Sequence, residues 1–129
     1  MFKDFDISSF KKMKPPSDNS FDTMQEVKAL KNIPLNRKFV KDNDDIEAAF
    51  KKTAEEKNIK DYDKSIAANL IKKSAHIIMK LKKHFNRPRP KTIAKKLNIN
   101  MKDIEMDSMK TPSYPSGHSV QGTLIAKIL

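Results

Sequence analysis

The stretch at residues 63–85, DKSIAANLIKKSAHIIMKLKKHF, decides how the rest of the chain can fold. Ile66, Leu70, Ile77 and Leu81 lie along one line of a helical lattice, with Ala67, Ile71, Ile78 and Phe85 beside it. A stripe this long and wide predicts a central helix that starts near Asp61 or Asp63, runs to about Phe85 and buries a broad face, and hence an all-α fold. Lys72, Lys73, Lys80 and Lys83 fall away from that face, whereas Lys82 follows Ile78 by four and sits half buried at its margin. His76 lies opposite the stripe, as a solvated helix residue. Directly after Phe85 comes NRPRP, which cannot stay helical, because each proline lacks a donor and pushes its predecessor out of the α region. Arg87 and Arg89 are therefore presented on stiff, extended backbone.

Upstream, residues 1–20 carry Phe2, Phe5, Ile7 and Phe10 before Pro15 and Pro16, a spacing that predicts an extended arm docking its aromatics on the body. Phe21, Met24, Val27 and Leu30 then mark a short helix over residues 21–31, capped by Ser20 or Asp18. Residues 34–40 read as a connector. Asp42, Asp44 and Asp45 supply carboxylates to the positive end of a helix running to about Lys57, with Ile46, Ala49, Phe50 and Ala54 inward and Asn58 as its stop. Downstream, residues 91–98 predict a short helix and residues 98–110 a loop with one turn. Pro112 and Pro115 hold residues 111–116 extended, and Val120, Leu124, Ile125, Ile128 and Leu129 open a further amphipathic helix. The division expected is an arm at residues 1–20 and one helical domain at 21–129.

Composition narrows the chemistry. Among 129 residues, 27 basic against 16 acidic leave a net charge of +11, and residues 72–96 hold eight lysines and two arginines with no acid. Such a field attracts phosphate, nucleic acid or anionic lipid without choosing among them. No cysteine is present, which excludes thiolate chemistry. With two glycines, Gly117 and Gly122, the chain has neither a dinucleotide fingerprint nor a glycine-rich phosphate loop, and no metal-ligand spacing is seen. The start has no apolar signal region and no apolar run is long enough to span a membrane, so the expectation is a soluble and, by default, cytoplasmic protein.

Two blocks carry candidate chemistry: KLKKHFNRPRP at residues 80–90 and TPSYPSGHS at residues 111–119. Guanidinium forks bind two phosphate oxygens at a time, while an ammonium acts as a point charge; Lys82 and Arg89 fit those parts. A helix N-terminus adds unpaired backbone donors, and glycine there lets an oxygen approach closely, which fits Ser116 and Gly117. His118, one residue on, fits a general acid that gives its proton to a departing alkoxide. Taken singly, each piece has a plainer structural explanation.

Taken together, Lys82 with Arg89-Pro90 six intervening residues on, followed by Pro115-Ser116-Gly117-His118, resembles the first two signature blocks of the type 2 phosphatidic acid phosphatase superfamily. That superfamily includes bacterial class A nonspecific acid phosphatases and vanadium haloperoxidases, and the wording HFNRPRP is most similar to the soluble acid phosphatases. Lys80 with Arg87-Pro88 satisfies the same spacing and gives an alternative phosphate-binding frame. The resemblance covers residues 63–129 and implies a helical bundle with the site at its centre. It implies that Lys82, Arg89, Ser116 and Gly117 hold phosphate and that His118 protonates the leaving group. No metal or other cofactor is implied; vanadate would enter only in the haloperoxidase alternative. The family's nucleophile is a histidine in a third block, Ser-Arg, five residues, His, three residues, Asp, which is absent from these 129 residues. Leu129 stands eleven residues past His118, so the bundle is expected to be incomplete at its C-terminal end. The substrate expected is a phosphorylated small molecule or a lipid phosphate. The alternative from a different class is a basic nucleic-acid-binding or interaction protein without catalysis.

Overall fold

Helix boundaries follow the side chains that satisfy backbone donors left open at helix starts, and the asparagines that tolerate left-handed backbone at helix ends. The computed structural model describes residues 5–128. In chain order the helices are α1 (Ile7–Lys11), α2 (Phe21–Lys31), α3 (Arg37–Asn43), α4 (Ile46–Glu56), α5 (Lys64–Phe85), α6 (Pro90–Lys96), a 3₁₀ turn (Asp107–Met109) and α7 (Gly117–Ile128). No strand occurs among the described residues. Ser20, Asp45 and Asp63 accept from the backbone amides of Thr23, Ala48 and Ser65 and so open α2, α4 and α5. Asn58, Asn86 and Asn98 take positive φ of 53°, 47° and 55° just beyond α4, α5 and α6, a conformation that asparagine tolerates better than most residues.

α5 is the central element, packed against α1, α4 and α7, while α2 lies on α6. Ala67 and Leu70 of α5 meet Ile125 of α7 in one buried cluster, flanked by Ile46, Phe50, Tyr62 and Ile71. Val27 of α2 with Ile93 and Ala94 of α6 forms a second, smaller one. No helix among the described residues is long and apolar enough to cross a membrane.

Three local expectations are corrected. The arm is not extended throughout: residues 7–11 form α1, because the Asp6 carboxylate accepts from both the Ser8 amide (3.0 Å) and the Ser9 hydroxyl (2.6 Å), a cap stronger than the alternation of apolar side chains. Of its aromatics, Phe5 stacks on Phe10 with centroids 4.8 Å apart, and Phe2 lies outside the described residues. The connector at 34–40 gives way to α3, opened by Asn36 accepting from the Phe39 amide and supported by a 2.8 Å Lys38–Asp42 pair one turn apart. Finally, Ile66 stays 39% exposed in the first turn of α5, whereas Lys82 is 5% exposed and lies deeper than the margin expected of it.

Leu70 is 1% exposed at the α5–α7 contact, so Leu70→Ala should cost about 2–5 kcal/mol, read as a shift of the urea unfolding midpoint with unchanged slope.

Candidate anion site

The two arginines of the RPRP run part company. Arg89 has φ −66° and ψ 150°, the polyproline geometry, whose three-residue period turns side chains two apart to different sides. Arg87 therefore points at α2, where its Nη2 donates to Glu26 Oε2 (2.7 Å) and Thr23 Oγ1 (3.2 Å). Arg89 points the other way, donating from Nε to the Thr111 carbonyl (2.8 Å) and from Nη2 to the Ser108 carbonyl (2.9 Å). Lys80 is exposed on α5 and lies outside the cleft that Arg89 enters, and so does Arg87. His76 and His84 are also exposed and outside it; the His84 ring packs edge-on against Phe85, which in turn meets Tyr114.

That cleft, about 580 Å³, lies between α3, α5, the loop at 106–111 and the start of α7. Lys82, Arg89, Ser116, Gly117 and His118 all line it, although the two blocks that contribute them are some 30 residues apart. Lys82 is buried, and its Nζ donates to the Pro112 carbonyl at 2.5 Å. An ammonium has three donors, so two remain; the guanidinium of Arg89 likewise keeps its Nη1 donors. No carboxylate pairs with either cation among the described residues. Burial, and secondarily the charge of Arg89, pushes the Lys82 pKa below the ordinary lysine value, and burial lowers that of Arg89 too. Two desolvated positive charges thus face one cavity.

Opposite them starts α7. Ser116 caps it, its Oγ accepting from the Ser119 amide (3.2 Å) and its carbonyl from the Val120 amide (3.1 Å). The amides of Gly117 and His118, in the first turn, have no intrahelical acceptor. A methyl added at Gly117 would find its nearest neighbour, Ile78 Cγ2, at 3.9 Å, so packing within the chain does not require a glycine there. The His118 ring is about half exposed and held by Asp44: Nε2 donates to the Asp44 carbonyl at 2.5 Å and stands 3.5 Å from its Oδ1. A carbonyl only accepts, so Nε2 carries hydrogen and Nδ1 is the nitrogen left to exchange a proton.

Asp44 is the residue that sequence reasoning placed elsewhere. Its neighbour Asp45, not Asp44, caps α4; Asp44 instead turns into the cleft and accepts from the Ser108 hydroxyl at 2.7 Å. Nothing local marks it, since its partners lie 64 and 74 residues away. Ser108, which helps position Arg89, was equally unmarked, and Thr111, which also does, opened the second block without a role of its own. Among the described residues no three His, Asp or Glu side chains are grouped to hold a metal. Comparison with protein-family models, with curated protein sequences and with solved structures found no match to this chain.

Proposed function

We propose that this chain forms the phosphate-binding half of a phosphate-monoester hydrolase, with a helical bundle of the acid phosphatase type in the type 2 phosphatidic acid phosphatase superfamily. One observation carries the reading: the five residues singled out from two separate blocks line a single cleft, and its two cations have no carboxylate partner among the described residues. Lys82 and Arg89 would take phosphate oxygens with their spare donors, and the amides at the start of α7 a further oxygen. His118 would give the Nδ1 proton to the ester oxygen as the P–O bond breaks. The attacking group is the histidine of the third block, which these residues do not include; it takes the phosphoryl group, and water then releases phosphate.

The test at the level of this chain is binding of inorganic phosphate, followed by NMR titration. Arg89→Ala should weaken it about tenfold or more, Gly117→Ala several-fold with the fold intact, and Arg87→Ala less than about twofold. Undiminished phosphate binding by Arg89→Ala would sink the proposal. Salt-dependent DNA binding reduced only slightly and uniformly by the same change would favour the nucleic-acid alternative.

A pH dependence follows from the buried lysine. Its pKa is depressed in the free site, and a bound anion favours the charged form. Phosphate affinity should therefore hold while Lys82 is protonated and fall as pH rises through that lowered pKa, at a pH below that at which an ordinary lysine titrates. Lys82→Met, weaker throughout, should show no comparable fall; equal pH profiles for the two proteins would remove Lys82 from the site.

A further inference from the structure

The cleft holds charge of both signs that do not cancel by contact. Lys82 and Arg89 spend their bonds on carbonyls and a hydroxyl of the loop, and neither touches Asp44. The Asp44 carboxylate has Oδ1 engaged by Ser108 and near His118, while Oδ2 has no hydrogen-bond partner among the described residues. Asp44 lines the same cavity as the cations. Phe39 of α3, 63% exposed, lines that wall as well, and an aromatic face attracts a cation.

A carboxylate is an unfavourable neighbour for a phosphate unless the ligand brings a positive charge to it. We infer that the site selects zwitterionic phosphate monoesters, the esters of small amino alcohols, with the phosphate on Lys82 and Arg89 and the ammonium on Asp44. This inference rests on the phosphate-site reading above and adds the class of its substrate. The placement follows from the roles: the ester oxygen takes the Nδ1 proton of His118, and Asp44, which holds the other nitrogen of that ring with Oδ1 3.5 Å from Nε2, is the one acid among the residues lining the cleft and so the carboxylate open to an ammonium carried on a short chain. Phosphate and ammonium then each meet the opposite charge, whereas a phosphate ester without an amine leaves Asp44 uncompensated.

The experiment compares phosphoethanolamine with ethyl phosphate, which lacks only the amine, by NMR titration of the chain and of Asp44→Asn at neutral pH. The wild-type chain should bind phosphoethanolamine about tenfold more tightly, as for a charge-assisted contact, and Asp44→Asn should bring the ratio close to one. Equal affinities in the wild type, or a preference that survives Asp44→Asn, overturn the inference while leaving the phosphate site standing. If neither ester nor inorganic phosphate binds, the phosphate reading itself falls and this inference with it. Equal wild-type affinities overturn the inference without any variant, so a misfolded Asp44→Asn would not shelter the proposal.

Discussion

Two positive charges side by side, Lys82 buried and Arg89 half-buried, with no acid among the described residues paired to either, impose the constraint that shapes this end of the molecule. Removing an ammonium and a guanidinium from water is expensive unless their donors find acceptors. The acceptors are the carbonyls of Ser108, Thr111 and Pro112, so the loop must bring its backbone inward at those residues. Ser113 completes the arrangement, its amide donating to the Arg87 carbonyl (2.9 Å) and its hydroxyl to that of Pro88 (2.8 Å). The RPRP run and the segment leading into α7 are thereby stitched together, which fixes where the first turn of α7 starts. Carbonyl dipoles soften the two charges without neutralising them, and what remains is a cavity complementary to an anion.

α5 makes that burial affordable in structural terms. Its 22 residues pack against three other helices, and one face of it holds Leu70 and Ala67 while its last turn carries Lys82 inward. The left-handed Asn86 then ends the helix sharply, with its amide on the Lys82 carbonyl (2.8 Å), so that Arg89 arrives beside Lys82 with only Arg87 and Pro88 between it and the helix cap.

These features differ in how far they can be read from sequence, and the difference is one of range. α5 and the caps at Ser20 and Asp63 depend on residues within a few positions of one another, and they stand where periodicity and capping chemistry put them. α1 and α3 are short, five and seven residues, and their apolar pattern is too brief to register; their polar caps were the available signal. The blocks around Lys82 and His118 were legible as chemistry because each is contiguous. The two-residue ambiguity between Arg87 and Arg89 was not resolvable by spacing, because it turns on polyproline backbone rotation and on Glu26, 61 residues earlier. Asp44 lay beyond reach for the same reason: a carboxylate at a helix start has a sufficient local explanation, and only the tertiary fold brings it to His118.

The same separation of local and distant effects explains why so many lysines leave so specific a cleft. Lys72, Lys73, Lys80 and Lys83 are exposed on α5, and α5 contains no acid to pair with them. Charges in solvent act over roughly a Debye length, about 8–10 Å in physiological salt, and they raise the encounter rate of any anion without preferring one. Selection needs charges whose water has already been removed, because only these lose nothing further when a fitting ligand arrives and leave a misfitting one unpaired. Lys82 and Lys83 are the same residue type at adjacent positions, yet one is buried and the other exposed. A helix turns about 100° per residue, and that rotation alone places one lysine in the cleft and its neighbour in solvent.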